Sequence, residues 1–273
     1  MNGNSRYIKL VILDIAGTIC DGPQDLRHLY ANDDGLAVKG PVIVFEQMFQ
    51  QFGMSVDWQT IRRPMGKFKK EHLVDILAIP EVAAQYREAH GKDSTAADVE
   101  EMFDMFRPTM AEVAVVDELI KPFAGVASAI ELIRERGAKV GCDTGYPKEA
   151  YEAIYSTLAN DHGITFDVTA DSENVPGRPT PFLVYDCMAK ANVFPPSAVV
   201  KVDDISAGVR EGRNSGAWTV GIAETGADDS TTLLDAGAHF VVPSVAELPG
   251  LIETKIEPRL ARGETPVQFG IPV

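Results

Sequence analysis

Tyr7-Ile8-Lys9-Leu10-Val11-Ile12-Leu13-Asp14-Ile15-Ala16-Gly17-Thr18 is the stretch on which the fold turns. From Tyr7 to Leu13 the residues are mostly apolar and partly β-branched, the composition of a short buried strand. The run ends at Asp14 and turns at once through Ala16-Gly17-Thr18, which reads as a tight loop. An aspartate at a strand terminus, followed by a glycine loop whose amides point outward, suits nucleophilic attack on phosphorus, with the amides cradling the phosphoryl oxygens. An aspartate that merely caps the next helix would look the same locally. The rest of the chain has to decide between them.

Working outward, runs of the same strand-like character recur at Lys139 to Cys142, Phe166 to Thr169, Ala198 to Val202 and Trp218 to Ile222, with a sixth candidate at His239 to Val242. Helical patterns separate them: Val126 to Arg136, Lys148 to Asn160, Pro181 to Asn192 and Ala207 to Ser215. Strands alternating with helices imply an α/β fold, a Rossmann-like parallel sheet covered on both faces. Gly40 to Ile120 breaks the rhythm. It holds helix-period segments at Val42 to Phe52, Phe68 to Leu77, Val82 to His90, Ala96 to Phe106 and Met110 to Leu119, and no convincing strand. The expected division is an α/β core of residues 1–39 and 119–273 with an inserted all-helical cap of residues 40–118. Placed after the first strand, such an insert would sit as a lid over the strand ends where open α/β sheets bind ligands. Gly22 to Gly40, with its Asn32-Asp33-Asp34-Gly35, reads as an exposed loop or hairpin able to shape the entrance.

Among the 273 residues, 40 are Asp or Glu and 25 are Lys or Arg, a formal charge of −15, with 45% hydrophobic residues. The apolar fraction and length predict a globular chain with a sizeable core. The acidic balance argues against a nucleic-acid or anionic-membrane partner, since the long-range field would repel both. No run approaches the ~18 apolar residues of a membrane span. The polar start does not resemble a signal peptide. The three cysteines, Cys20, Cys142 and Cys187, have no metal-type spacing and read as reduced, buried side chains, which fits a cytoplasmic location.

Three further segments at strand ends favour the chemical reading of Asp14. Asp143-Thr144-Gly145 follows one strand, Gly177-Arg178-Pro179 precedes a helix, and Val202-Asp203-Asp204 ends another strand. Together they offer a nucleophile, a hydroxyl, a fixed cation and a second carboxylate, the parts of a phosphoryl-transfer site. The metal joining Asp14 to Asp204 would be Mg²⁺, a hard ion held by one or two carboxylates plus substrate oxygens and water.

In that order the segments resemble the motifs of the haloacid dehalogenase superfamily, and the likeness spans both core and insert. Ala16 narrows it. Phosphatases of the superfamily usually carry a second aspartate there, as general acid for an alkoxide leaving group, and this chain has only a methyl. Alanine at that position resembles the phosphonoacetaldehyde hydrolase branch, which cleaves a C–P bond after forming a Schiff base on a cap lysine. The insert has a matching segment, Pro64-Met65-Gly66-Lys67-Phe68-Lys69, followed by His72.

The resemblance implies Lys69 as the imine-forming residue and His72, one turn on and on the same helix face, as its proton-handling neighbour. Asp14 would be the nucleophile. Thr18, Met65, Gly66, Thr144, Gly145 and Arg178 would bind the small anionic phosphonate, with Tyr146 lining the pocket. Asp14, Ala16 through its carbonyl, and Asp204 would hold Mg²⁺. It also implies a homodimer paired through the cap, for which Val42 to Phe49 is the apolar segment at hand.

Spacing alone does not choose Lys69 over Lys67 or Lys70. Arg62 to Lys70 gathers five of the 25 basic residues into nine positions, where an even spread would put about one, and the bland reading is a solvated helix face. A neutral amine is needed to attack an aldehyde, so the reactive lysine is expected to be desolvated or crowded by like charge. His28, His90, His162 and His239 share no motif and read as surface or structural histidines.

Two positions depart from the resembling pattern. Asp203 stands where Gly is expected, and Gly208 where a second aspartate is common, which questions a metal contact or the bracing of Lys201. Readings competing with C–P hydrolysis are a phosphatase of small phosphate esters and a catalytically silent phosphonate-binding homologue.

Overall fold

The computed structural model describes residues 7–20 and 40–266. The anticipated loop from Gly22 lies outside the described residues, except that Gly40 opens a helix.

Six parallel strands make up one sheet among the described residues: β1 (Leu10–Leu13), β2 (Lys139–Thr144), β3 (Val168–Asp171), β4 (Val199–Asp203), β5 (Trp218–Ile222) and β6 (Phe240–Val242). Their order, β3-β2-β1-β4-β5-β6, is that of a doubly wound sheet, with the switch in direction between β1 and β4. Alternation along β1 explains why both faces are covered. Val11 and Leu13 join one core cluster with Ile130, Ile154 and Leu248, whereas Leu10 and Ile12 join the opposite one with Leu183, Val184 and Cys187. Register then sets the site. Leu13 lies level with Cys142 of β2 and Val202 of β4, so Asp14, Asp143 and Asp203 leave three adjacent strands side by side.

From Gly40 to Ile120 the chain is helical: α1 (Gly40–Gln51), α2 (Trp58–Arg62), α3 (Lys69–Leu77), α4 (Pro80–His90), α5 (Ala96–Val113) and α6 (Asp117–Ile120). The helix α2 has no counterpart among the segments expected from sequence. It is set by its cap, Asp57, whose carboxylate accepts from the Thr60 amide at 2.7 Å. The segment expected at Ala96 to Phe106 and the first part of the one expected at Met110 to Leu119 form one helix, α5, running through Pro108, and the end of the second falls in α6. Val99, Met102, Phe103, Phe106 and Met110 form one buried stripe along it, and Phe106 packs on Phe45 of α1 with ring centroids 4.4 Å apart. That packing outweighs the hydrogen bond the proline forfeits.

The later helices are α7 (Val126–Glu135), α8 (Lys148–His162), α9 (Phe182–Ala191), α10 (Ser206–Ser215), α11 (Ser230–Asp235), α12 (Leu248–Leu251) and α13 (Glu257–Ala261). The strand expected at Phe166 to Thr169 forms two residues later, because Asp167 turns in to accept from the Val140 amide at 2.8 Å and leaves the ladder to start at Val168. Val42 to Phe45, Met48 and Phe49 are buried inside the chain, so this apolar segment is not an exposed face available for pairing. Among the described residues no helix is long and apolar enough to cross a membrane.

Candidate active site

The loop after β1 folds tightly because Gly17 takes φ +84°, a left-handed conformation open to glycine at little cost. The Ile15 carbonyl accepts from the amides of Thr18, Ile19 and Cys20 at 2.8–3.2 Å, which fixes Asp14 at the mouth of the sheet. A cleft opens there. Asp14, Ala16, Met65, Gly66, Lys69, Thr144, Gly145, Arg178 and Asp204 all line it, joined by Pro41, Tyr146 and Ile205.

Two glycines let the helical insert close on the strand ends. At Gly145 a Cβ would stand 2.7 Å from the Lys67 carbonyl oxygen, and at Gly66, where φ is +93°, it would lie under 3.0 Å from the Ile205 side chain. The Lys69 amide, at the first position of α3, donates to the Gly145 carbonyl at 3.3 Å and pins that helix to the loop after β2.

Of the three lysines that spacing left open, Lys69 is the one lining this cleft, and it is only 5% exposed. Its Nζ lies 3.7 Å from Met65 Sδ and 5.3 Å from the centre of the Tyr146 ring. Lys67 pairs with Asp75 and Lys70 with Glu100. The expected crowding by like charge is therefore offset by acids of the insert, and burial is what sets Lys69 apart.

His72 and Thr18 do not line the cleft. His72 is fully buried beneath Lys69, its Nε2 2.6 Å from the Ile61 carbonyl and its ring 4.6 Å from that of Phe45. A carbonyl partner requires the proton on Nε2, leaving Nδ1 as the basic atom. Burial, and then the charge of Lys69, push its pKa down to about 3, so the imidazole stays neutral. Thr18 is fully buried behind the loop.

Arg178 is buried and its guanidinium is already engaged. Nη2 donates to Asp14 Oδ1 at 2.7 Å and contacts Asp143, while Nε donates to Glu211 at 3.2 Å and Asp203 lies 3.3 Å away. Lys201, fully buried, pairs with Asp143, with Asp203 at 3.0 Å and with Glu211 at 3.5 Å. The sequence pointed to Arg178 but not to its partners Asp143 and Glu211. Glu211 could have been suspected as a carboxylate on the inner side of an otherwise polar helix.

Four carboxylates thus share two fixed cations, and Asp204 adds a fifth negative charge beside Asp14. The shortage of positive charge shows in Asp14, raised to about 7 by burial, opposed by Arg178 and reinforced by the charges of Asp203 and Asp204. Glu211 is pushed up to about 8 by burial and by Asp143. Two clusters have cation-binding spacing among the described residues. Asp143, Asp203 and Glu211 already surround Lys201 and Arg178. Asp14, Asp203 and Asp204 include both cleft carboxylates, and hard oxygen donors short of positive charge fit a divalent cation such as Mg²⁺.

Comparison with known proteins gives the same direction. Residues 8–216 match the family model of haloacid dehalogenase-like hydrolases. A phosphonoacetaldehyde hydrolase of Nitratidesulfovibrio vulgaris is 34% identical, over 95% of this chain and 94% of its own. One from Paraburkholderia phytofirmans is 30% identical, over 96% of this chain and all of its own. The crystal structure of a phosphonoacetaldehyde hydrolase-like protein from Oleispira antarctica superposes with a TM-score of 0.84 at 28% identity, covering 96% of both chains. A parallel sheet of this order, an aspartate at the end of its first strand and full-length likeness above 30% lead to one conclusion: the chain belongs to the haloacid dehalogenase-like hydrolases and, within them, to the phosphonoacetaldehyde hydrolase family.

Proposed function

We propose that the enzyme hydrolyses the C–P bond of phosphonoacetaldehyde to acetaldehyde and phosphate, through an imine on Lys69 and an aspartyl phosphate on Asp14. The observation that carries this reading is that Lys69 and Asp14 open into one cleft beside Ala16, where an acid for an alkoxide leaving group would otherwise stand. In the same proposal residues 1–39 and 119–273 are the catalytic core and residues 40–118 the cap that delivers Lys69. The bond from the Lys69 amide to Gly145 supports that arrangement.

The Lys69 amine condenses with the aldehyde and releases water. The protonated imine then accepts the electron pair of the breaking C–P bond, so the departing carbon leaves as an enamine and not as a bare carbanion. An Asp14 oxygen attacks phosphorus in line. Proton transfer to the enamine carbon and hydrolysis of the imine free acetaldehyde, and a second water cleaves the acyl phosphate to phosphate and Asp14. One water is consumed overall.

Thr144 and the Gly145 amide hold the phosphoryl oxygens, and Arg178 aims Asp14. His72, buried next to the Lys69 helix face and kept neutral, adds no positive charge beside the Lys69 amine. Asp14, Asp204 and the Ala16 carbonyl would hold Mg²⁺, whose charge would offset the negative charge of the phosphoryl oxygens.

The test is product analysis. Phosphonoacetaldehyde should give acetaldehyde and phosphate in equal amounts, with Mg²⁺ required, and borohydride added with substrate should leave a reduced adduct on the Lys69 peptide. Phosphate released from esters but not from the phosphonate would overturn the reading, as would full activity after borohydride. A cytoplasmic location belongs to the same proposal, supported by three buried free cysteines. So does a homodimer, which now rests on the family resemblance; light scattering at about twice 29.6 kDa would support it and the monomer mass would exclude it.

A further inference from the structure

The two departures, Asp203 at the end of β4 and Gly208 in α10, meet in space. Gly208 lies in the first turn of α10 with its Cα turned toward β4, and a Cβ there would be less than 3.0 Å from all three terminal atoms of the Asp203 carboxylate. A side chain at 208 would have to displace that buried carboxylate from its partners. Gly212, one turn on and so on the same face, likewise leaves room for the Lys201 stem, whose Cγ would be 2.9 Å from a Cβ at that position. The helix therefore lies over a buried Asp203 and Lys201 with two glycines facing them.

In the space it occupies, the Asp203 carboxylate acts in two directions. Oδ1 accepts from the amides of Asp204 at 3.0 Å and Ile205 at 3.3 Å, fixing the turn that carries the cleft carboxylate and the Ile205 wall. Oδ2 faces Lys201 at 3.0 Å and Arg178 at 3.3 Å, and Arg178 in turn donates to Asp14. Lys201 and Asp203 reach one another because they are two apart on β4 and so share a face. Asp203 is fully buried.

We propose that positions 203 and 208 form one unit, in which Asp203 takes the space a side chain at 208 would need and serves as the positioning residue that orders the Asp204 turn and holds Arg178 against Asp14. The departures are then a reciprocal exchange, a carboxylate moved from helix to strand, and not a loss. Asp203 touches no reacting atom in this role. Catalytic assignment of Asp14 and Asp204 rests on the reading under Proposed function, but the pairing of 203 with 208 does not.

Four variants test it: D203G, G208D, the double D203G/G208D, and D203N. Each is measured for kcat and KM with phosphonoacetaldehyde, for Mg²⁺ binding by calorimetric titration of the protein with the metal alone, and for melting midpoint. Removing a bracing group of this kind costs about 10- to 100-fold in metal affinity or activity. D203G and G208D should each show such a loss in kcat and in Mg²⁺ affinity with KM nearly unchanged, and the double variant should regain most of both.

D203N, which keeps the size and the Oδ1 acceptor, should fold like the parent yet lose kcat, and it serves if the glycine variants do not fold. The proposal is overturned if G208D alone keeps the parental kcat and melting midpoint, if folded D203G/G208D is no better than D203G, or if D203N is as active as the parent. Should the parent itself fail to turn over the phosphonate, the Proposed function fails alone, since Mg²⁺ affinity and melting still read whether 203 and 208 are coupled.

Discussion

Lys69 shows what a single residue owes to its surroundings. Three lysines lie within four positions, and the fold gives them different fates: Lys67 and Lys70 end in ion pairs at the surface of the insert, whereas Lys69 is turned into the cleft against Met65 and Tyr146. Replacing Lys69 with Met, which keeps the stem and removes the amine, should lower kcat by about 10³-fold or more and abolish the borohydride adduct, on the scale expected when a covalent route is lost. A steady-state assay with peptide mapping checks both, and comparable loss in Lys67→Met or Lys70→Met would count against Lys69 as the imine former.

His72 gives a pH effect whose sign can be worked out. Its folded pKa is near 3, below the ordinary value of about 6.5. Between those values the unfolded chain binds a proton that the folded chain does not, so stability falls as pH drops from about 6.5 toward 3 and is fully present above that window. Asp14 and Glu211, raised to about 7 and about 8, act in the opposite sense, so the His72 contribution is read by difference: in thermal melts the parent should lose stability relative to His72→Gln as pH drops through that window. Equal slopes would mean that His72 titrates alike in both states.

At the scale of elements, the close seat of α3 on the loop after β2 depends on an absent side chain. Gly145→Ala places a methyl 2.7 Å from the Lys67 carbonyl, which is backbone and cannot turn aside. The expected result is a loss of about tenfold in kcat/KM with little change in folding cooperativity, since a displacement near 1 Å at a positioning loop costs on that order or more. A crystal structure of the variant with unmoved Lys69 and normal kinetics would refute it.

Elements also divide what could be read in advance from what could not. The β strands and the helices that cover them follow from local apolar periodicity, and the strand-end aspartate motifs follow from those assignments. The run through Pro108 was not legible because its cause is the stripe of α5 side chains packed on Phe45, partners more than 50 residues away. Nor was the place of Asp203, whose neighbours come from β4, α10 and the segment before α9 at once.

The whole molecule is acidic, yet a groove lined by basic residues borders its cleft. Arg62, Arg63, Lys67 and Arg210 line that groove, which shares Met65 and Ile205 with the cleft. Its acid, Asp228, accepts from the Ser206 amide at 2.7 Å and hydroxyl at 2.6 Å, and Lys67 is paired with Asp75, so Arg62, Arg63 and Arg210 leave the groove net basic. A small dianion should therefore be steered inward at low salt. We expect kcat/KM to fall severalfold as ionic strength rises from about 0.01 to 0.3 M, where the screening length shrinks from about 30 Å to under 10 Å. The double substitution Arg63→Glu with Arg210→Glu should lower kcat/KM at low salt and flatten that dependence; a parent profile independent of salt would remove the groove from the mechanism.

By itself the sequence determined the parallel α/β core, the helical interruption after the first strand and the order of the phosphoryl-transfer motifs, because periodicity and turn chemistry are written in consecutive residues. Only the tertiary structure decided which lysine enters the cleft, that His72 lies behind it and not in it, and that Asp203 fills the room left by Gly208. Those outcomes depend on burial and on charges brought together from distant segments, and the free energy of a buried charge is set by its neighbours in space.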